Sequence, residues 1–439
     1  MHITDYQIVQ RDSTGYASIP FEGGTDGIAA GQLVWARALR EDDSLDMTGW
    51  QRCEQNAHGW RTSFKLPAGG PYWLEARAGE EGAAPEWCPR IARVSHVGVG
   101  ELFLLAGQSN MAGYGRDSAY DPPELGVHLY GNDGRWTLAT HPLNDSLNTI
   151  YPENAEYPSS SSPALSFART LRRRLNMPVG LVQASLGGSP LSRWHPEENG
   201  DLYRAMLRRI DVVGPVGGVL WYQGCSDTDT EEQAQHYLER FARMVELWRA
   251  DLGELPIITV QINRVKQHGA DEARDRRWGL VREAQRRAAQ SIKRLVVVPS
   301  TDLACTDGIH NSSGSNVILG ERMANVALKE LYGQSGLSAP NLRRVVRKGA
   351  RKLFLEFGEG HDMRPAEGPD DGMNVEDAQG LIRCSACNYC TGGLEAEFER
   401  DFELPARFHA YWRCEPPAFL ARDISGMPML SCYGVEIEE

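Results

Sequence analysis

The sequence contains no long run of apolar residues, and this absence excludes one class of protein. No stretch approaches the roughly 20 consecutive apolar residues that a helix needs to cross a bilayer. The N-terminal residues also lack the basic start and the apolar core that mark a secretion signal. We therefore expect a cytoplasmic protein that has no membrane partner.

An excess of positive charge is also missing. The formal net charge is -13 at pH 7, with 46 Lys and Arg against 59 Asp and Glu. Nucleic acids are bound by clustered Lys and Arg that neutralise phosphates, so this balance argues against a nucleic-acid partner. The short basic run at 172–174 lies within a helical pattern, which indicates a solvated helix face.

A disulfide framework is the third feature that the chain lacks. Its nine cysteines are odd in number and scattered over 439 residues, which is typical of reduced thiols. Cys384, Cys387 and Cys390 do stand at two-residue gaps, a spacing that permits a structural zinc. No second pair of that kind follows, and a strand can carry such cysteines as small apolar residues. The prediction is therefore no metal and no cofactor, with zinc as the minor alternative.

The composition is that of a globular protein, and the length exceeds one ordinary core. Hydrophobic residues make up 41% and charged residues 24% of the 439 residues, so two or three domains are expected. Residues 1–98 hold short Val, Trp, Phe and Tyr segments between turn residues, which predicts an N-terminal β-sandwich domain. Residues 336–439 have a similar character, which predicts a C-terminal β-domain, again of sandwich type, with strand pairs at 342–357 and 394–413.

Residues 99–335 alternate between strands and helices, as in a parallel sheet that helices cover on both faces. This alternation predicts an α/β fold of the doubly wound, three-layer, flavodoxin-like kind. The predicted strands are 102–106, 178–184, 217–222, 256–262 and 295–299, and the predicted helices are 163–175, 231–252, 276–290 and 314–332. The polar stretch 117–162 is expected to be a long connection that could wall a site.

A short polar turn follows the first predicted strand of this region. The apolar run 102–106 breaks at Gly107, and the next residues are Gln108, Ser109 and Asn110. Open α/β sheets bind ligands at the carboxyl ends of their strands, so Ser109 stands where a nucleophile is expected. A serine after a glycine is by itself more often an ordinary turn.

A base and its partner stand near the last predicted strand. A serine hydroxyl is a weak nucleophile until a base accepts its proton, and that base needs a group that fixes its tautomer. His310 and Asp307 can supply both from one loop, and Asp302 is a competing carboxylate. The alternative is that Asp307 caps a local turn and that His310 is polar surface.

Acyl transfer also needs donors for the oxyanion of its tetrahedral intermediate. The candidates are the amide of Ser109, an amide at Gly187 or Gly188, and the side chain of Gln223. Glycine suits this task because its backbone can approach a ligand without a Cβ in the way. Taken one at a time, each of these residues is more simply a turn or a satisfied polar group.

Four blocks stand in order along residues 95–330. They are Gly107-Gln-Ser-Asn-Met111, Gly187-Gly-Ser189 followed by Trp194, Trp221-Tyr-Gln-Gly224, and Asp307-Gly-Ile-His310. Together they resemble the SGNH hydrolase superfamily, and within it the sialate O-acetylesterase family and its acetylxylan esterase relatives. The other familiar esterase signature, G-x-S-x-G, is absent because Met111 occupies the position of its second glycine.

The resemblance implies a function and a set of roles. It implies that Ser109 attacks an ester carbonyl, that His310 acts as general base and then acid, and that Asp307 orients His310. It also implies an oxyanion hole and substrate contacts, the former from Ser109, Gly188 and Gln223, the latter from Gln108, Asn110 and Trp194. The implied reaction is hydrolysis of acetyl esters on sugar hydroxyls, so the expected partner is an O-acetylated sugar or glycan.

One departure from the family keeps a rival hypothesis open. The family commonly has Glu after the Gln-Gly pair, whereas this chain has Cys225. A thiol carries no fixed charge unless it is ionised. The alternative is therefore a catalytically impaired carbohydrate-binding protein on the same scaffold. The oligomeric state has no signal in the sequence.

Overall fold

The computed structural model describes residues 3–155, 159–266, 269, 271–358, 360–366, 372–417 and 419–439. Their fold is mixed α/β with a central, mostly parallel sheet, which confirms the predicted class at that level. Among these residues, no helix is long and apolar enough to cross a membrane.

The first part of the chain is built from strands. They are β1 (Ile8–Gln10), β2 (Tyr16–Gly23), β3 (Leu33–Arg40), β4 (Gln51–Arg52), β5 (Glu54–Asn56), β6 (Gly59–Pro67), β7 (Gly69–Gly79) and β8 (Arg90–Gly107). Strands β2, β6 and β5 form one sheet, while β3, β4 and β7 join the first half of β8. Alternate residues of both groups, such as Phe21 and Val34, are buried in one shared core.

The central region begins where β8 leaves that core. Its further elements are α1 (Ser109–Ala112), β9 (Val127–Tyr130), β10 (Trp136–Leu138), α2 (Pro163–Leu175), β11 (Val179–Gln183), α3 (Asp201–Val213), β12 (Gly218–Tyr222), α4 (Glu231–Gln235), α5 (Tyr237–Leu252), β13 (Ile257–Val260), α6 (Glu272–Ser291), β14 (Leu295–Val298) and α7 (Ser313–Glu330). The strand order is β10-β9-β11-β8-β12-β13-β14, and every neighbouring pair is parallel except β10 with β9.

Helices lie on both faces of this sheet. Leu102 and Leu104 of β8 share a core with α3, α5 and α6, whereas Phe103 and Leu105 share the opposite core with α2 and α7. Side chains alternate between the faces of a strand, so one apolar run serves two cores. The second half of β8 is therefore the central strand, and its carboxyl end lies between both helical layers.

The last part of the chain is again built from strands. They are β15 (Leu342–Gly349), β16 (Lys352–Phe357), β17 (Met363–Arg364), β18 (Met373–Asp377), β19 (Gly380–Cys390), β20 (Gly393–Phe398), β21 (Arg407–Ala410), β22 (Arg422–Asp423) and β23 (Cys432–Glu436). Seven of them form a sheet in the order β15-β16-β20-β19-β18-β21-β23. The division of the chain into domains at 98 and 335 stays a prediction, and β8 runs unbroken through position 98.

Three expectations about elements are wrong. The helix expected over 231–252 is interrupted at His236, where the backbone leaves helical geometry (φ -92°, ψ 5°) between α4 and α5. The polar stretch 117–162 is not a plain connection, because it contains β9 and the edge strand β10. Residues 394–413 do not form a strand pair, because β20 pairs with β16 and β19 while β21 pairs with β18 and β23.

Candidate active site

Ser109 is the first residue of α1, and only Gln108 separates it from the carboxyl end of β8. The turn depends on Gly107, whose φ of 122° favours glycine and whose Cβ, if it had one, would collide with the Tyr222 carbonyl of the neighbouring strand. The backbone of the next residue, Gln108, donates to that same carbonyl at 2.9 Å. The serine is therefore held on two central strands rather than on a free loop.

A continuous chain of hydrogen bonds joins Ser109, His310 and Asp307. The Oγ of Ser109 lies 3.0 Å from Nε2 of His310, and Nδ1 of His310 lies 2.8 Å from Oδ2 of Asp307. A carboxylate only accepts hydrogen bonds, so Nδ1 donates to Asp307 and Nε2 is left to accept from the serine. This is the tautomer that a general base for Ser109 needs.

Asp307 is fixed by its own loop. Its Oδ1 accepts the amides of Ile309 and His310 at 2.8 Å each. Burial raises the pKa of Asp307, but the hydrogen bonds from His310 and from these two amides outweigh burial and hold that pKa below its ordinary value of 3.8. The competing carboxylate, Asp302, is engaged by Arg322 at 2.6 and 2.7 Å instead.

Two further residues hold the loop of His310 against the turn of Ser109. Asn110 accepts from the amide of Asn311 at 3.0 Å and donates to the Ile309 carbonyl at 3.2 Å. The ring of Tyr114 stacks on the imidazole of His310, with centroids 4.7 Å apart and planes at 26°. Asn110 was predicted to contact substrate, but its side chain is 2% exposed and both ends of its amide already bind other groups of the protein.

The amides of Ser109 and Gly188 remain as candidates for the oxyanion donors. Among the hydrogen bonds of the described residues, neither of these amides donates to another group of the chain. Gly188 lines the same cavity as Ser109, and its φ of 63° lies in the left-handed region that favours glycine. A Cβ there would meet nothing within 4 Å, so the backbone conformation, not crowding, calls for glycine.

Gln223 does not supply the third donor that the sequence predicts. Its side chain is fully buried, and its Nε2 donates to Asp227 at 2.6 Å and to the Ser189 carbonyl at 3.2 Å. Both N–H groups of the amide are thus used inside the protein. Asp227 is itself buried, which raises its pKa even though Gln223, the Leu191 amide and Arg240 act in the opposite direction.

Gln108 and Trp194 are the two remaining predicted substrate contacts, and only Gln108 lines the cavity. The Oε1 of Gln108 accepts the amides of Gly224 and Cys225 at 2.9 and 3.0 Å. Trp194 is 0% exposed, donates to Ser189 at 3.0 Å and packs against two other tryptophans. A ring without accessible surface cannot touch a sugar, so the assignment of Trp194 to substrate binding is wrong.

Cys225 lies at the edge of the site as a neutral thiol. It lines the cavity but is 6% exposed, and burial raises its pKa to about 12. The nearby guanidinium of Arg282 is not paired with a carboxylate among the described residues. It donates to backbone carbonyls instead, including those of Asn263 and Arg413 at 2.6 Å each.

The cavity at Ser109 and His310 has a volume of about 430 Å³. Sequence reasoning missed several of its lining residues, namely Tyr114, Ser226, Thr228, Asp229, Arg274, Arg277, Trp278 and Ile309. A larger cavity of about 690 Å³ lies beside β5 and β6, but Ser109, His310 and Asp307 do not line it. The sequence allowed that the stretch 117–162 could wall the site, but no residue from its described part lines the cavity at Ser109.

The cysteines at 384, 387 and 390 lie along β19 and do not build a metal centre with other described residues. Cys384 is buried, and Cys387 and Cys390 are half-buried. In the described part of the chain, no group of three or more His, Cys, Asp or Glu side chains could hold a metal ion.

Comparison with known proteins gives matches over the central region and over the whole chain. A family model described as "Carbohydrate esterase, sialic acid-specific acetylesterase" matches residues 99–329. A probable carbohydrate esterase from Arabidopsis thaliana is 28% identical over 253 residues, which are 52% of this chain and 90% of that protein. A solved carbohydrate acetylesterase from Xanthomonas citri has a TM-score of 0.68 at 22% identity, covering 98% of this chain and 97% of the other. That likeness shows a shared fold along nearly all of both chains.

Proposed function

Because this chain belongs to the carbohydrate esterase family described as sialic acid-specific acetylesterase, we propose that it hydrolyses acetyl esters on sugar hydroxyls through an acetyl-Ser109 intermediate. The observation that carries the proposal is the hydrogen-bonded series of Ser109, His310 and Asp307 at an open cavity. O-acetylated sialic acids are the first candidates for the substrate, and acetylated xylan-type glycans are the second.

In the first half of the reaction, the acetyl group moves from the sugar to the enzyme. The Ser109 oxygen forms a bond to the ester carbonyl carbon while Nε2 of His310 takes the hydroxyl proton. The Asp307 carboxylate stabilises the imidazolium that results. When the carbonyl re-forms, the bond to the sugar oxygen breaks, and that oxygen leaves with the proton from His310.

The negative charge of the tetrahedral intermediate lies on the former carbonyl oxygen. The amides of Ser109 and Gly188 donate hydrogen bonds to this oxygen. Both residues line the cavity, and neither amide donates to another group of the described chain. Loss of one donor of this kind typically costs about 10²–10³ in kcat. Gln108 contributes indirectly, since its Oε1 accepts the amides of Gly224 and Cys225 and so fixes the loop that follows β12.

In the second half, water releases the acetyl group. His310 takes a proton from a water molecule, whose oxygen bonds to the carbonyl carbon of acetyl-Ser109. The ester bond to the serine then breaks, the serine oxygen takes the proton back from His310, and acetate leaves. The enzyme returns to its starting state without any cofactor.

An acetate-release screen tests the proposal. The substrates are O-acetylated sialic acids, acetylated xylooligosaccharides, simple sugar acetates and an aryl acetate, offered to the wild type and to Ser109→Ala. The wild type is expected to release acetate, and the variant to lose at least about 10³-fold in kcat with an unchanged unfolding transition. Undiminished turnover by the variant would refute the role of Ser109.

The rival is a catalytically impaired carbohydrate-binding protein. The observation that favours it is the buried thiol of Cys225 at a position where the family commonly has Glu. A serine-reactive fluorophosphonate separates the two hypotheses, because it labels only an activated hydroxyl. Labelling of the wild type that disappears in Ser109→Ala and in His310→Ala supports the esterase. A wild type that stays unlabelled and releases no acetate supports the binding protein.

A further inference from the structure

One wall of the cavity is charged, and the reaction steps proposed above do not use its charged side chains. Arg274 and Arg277 of α6 line it, together with Asp229 from the segment after β12. Residues three apart in a helix lie on the same face, so the two guanidinium groups are neighbours. Both arginines are half-buried, whereas Asp229 is exposed.

Neither arginine is neutralised within the described part of the chain. Arg276, between them, pairs with Glu231 at 3.2 Å, but no described carboxylate lies within ion-pair distance of Arg274 or Arg277. Arg277 donates through Nε to the Thr228 carbonyl at 2.6 Å, which leaves its terminal nitrogens for other acceptors. The Arg274 guanidinium lies 5.8 Å from the ring centre of Trp278. The wall therefore offers several N–H donors to a ligand.

The charge of this wall selects the kind of anion. Two arginines and one aspartate leave one net positive charge beside the cavity. This balance matches a single carboxylate better than a phosphate, which carries about -1.5 to -2 at pH 7. A guanidinium presents parallel N–H groups that fit the two oxygens of a carboxylate. The volume of about 430 Å³ lies at the small end of ligand pockets and suits one sugar unit.

We infer that Arg274, assisted by Arg277, binds the carboxylate of an O-acetylated sugar acid while Ser109 attacks its acetyl group. This inference rests on the proposed function and names the residue that selects the substrate class of the same site. Arg274 is thus a specificity residue, and Asp229 lowers the preference that the arginines create.

The test compares two substrates that differ only in the charge of one group. They are an O-acetylated sugar acid and its carboxamide, and acetate release gives kcat/KM for each. The wild type is expected to prefer the acid, and Arg274→Gln is expected to reduce the ratio of the two kcat/KM values roughly tenfold or more. Arg276→Gln is the matched control, because it removes the same charge from the same helix at a residue already paired with Glu231.

Two further measurements do not depend on the folding of Arg274→Gln. Asp229→Asn changes an exposed side chain and is expected to raise the preference for the acid. In the wild type, added salt is expected to lower kcat/KM for the acid more than for the carboxamide. A wild type that treats both substrates alike, or an equal effect of Arg274→Gln and Arg276→Gln, would overturn the inference and leave the esterase standing. No acetate from any substrate would overturn the proposed function itself.

Discussion

At the scale of single residues, Asp307 sets the tautomer on which the whole site depends. Replacement by Asn keeps the shape but can offer an N–H to Nδ1, which then leaves the wrong nitrogen facing Ser109. We expect Asp307→Asn to lower kcat by about 10²–10⁴ with little change in KM. Steady-state kinetics on an aryl acetate measures this.

Asp302→Asn is the control for that variant, because Asp302 is the other carboxylate that the sequence offers. It weakens a half-buried ion pair with Arg322 and should cost stability while kcat is kept. If Asp302→Asn lowered kcat as much as Asp307→Asn, the assignment of the two carboxylates would be wrong.

Tyr114 supports the same histidine from its flat side. When His310 takes the serine proton it becomes a cation, and a stacked aromatic face stabilises a cation by about 0.5–2 kcal/mol. Tyr114→Ala is therefore expected to slow acylation by roughly 2- to 30-fold, whereas Tyr114→Phe keeps most of the rate. Single-turnover release of the aryl alcohol measures the step, and equal rates in all three proteins would contradict this role.

The residues of the site differ in how far the sequence could reveal them. Ser109, His310 and Asp307 were singled out because their blocks stand in order with two others, and the structure joins these three side chains by hydrogen bonds. Trp194 and Gln223 stand in equally distinctive blocks, yet both are fully buried, and burial depends on partners far along the chain. Arg274 and Tyr114 lacked any local signal, because only the folded cavity brings them beside Ser109.

At the scale of elements, His128 shows how a strand places a titratable group in the core. In β9, its Nδ1 donates to the Tyr6 carbonyl at 2.6 Å and its Nε2 accepts the amide of Gly126 at 3.1 Å. Protonation would turn Nε2 from an acceptor into a donor that faces another N–H group. Burial accordingly lowers the pKa of His128 from 6.5 to about 4.

This shift predicts how stability depends on pH. The unfolded chain binds the proton below about pH 6.5, and the folded chain does so only below about 4, so stability falls as the pH falls between these values. The loss from this residue is about 3 kcal/mol over the window. Urea unfolding of the wild type and His128→Asn should give a stability difference that shrinks from pH 7 to pH 4. A difference that stays constant would contradict the assignment.

The elements themselves were predictable where their patterns were long. Helix α2 has the predicted bounds, because Ser162 caps its start and Asn176 ends it in the left-handed region. The break at His236 was not predictable, since an apolar stripe continues through it into α5. Strands β9 and β10 were missed because they are four and three residues long, too short to show a period.

At the scale of the whole molecule, the last part of the chain helps to hold the catalytic region. Arg282 of α6 is fully buried and donates to the carbonyls of Tyr411, Trp412 and Arg413. Burial lowers its pKa to about 10, yet it stays charged at pH 7. Gln261, after β13, makes two further hydrogen bonds to Ser431. The C-terminal strands are therefore expected to be required for folding of the α/β region.

Replacing Arg282 tests this dependence. Arg282→Ala leaves several buried carbonyls without donors, so we expect a loss of about 3–5 kcal/mol in the free energy of unfolding. Arg287→Ala changes an exposed arginine of the same helix and should stay within about 0.5 kcal/mol of the wild type. Equal stability of the two variants in urea would show that the C-terminal contacts contribute little.

The central claim is that four distant segments of one chain meet to make Ser109 a nucleophile. Its most direct test is rapid acid quenching of the enzyme during turnover of an acetyl ester, followed by peptide mass spectrometry. The account predicts one added acetyl group on the peptide that contains Ser109. This group should form as fast as the first equivalent of alcohol is released, and it should be absent in His310→Ala. Full turnover with no acetyl on that peptide, or with the acetyl on another residue, would contradict it.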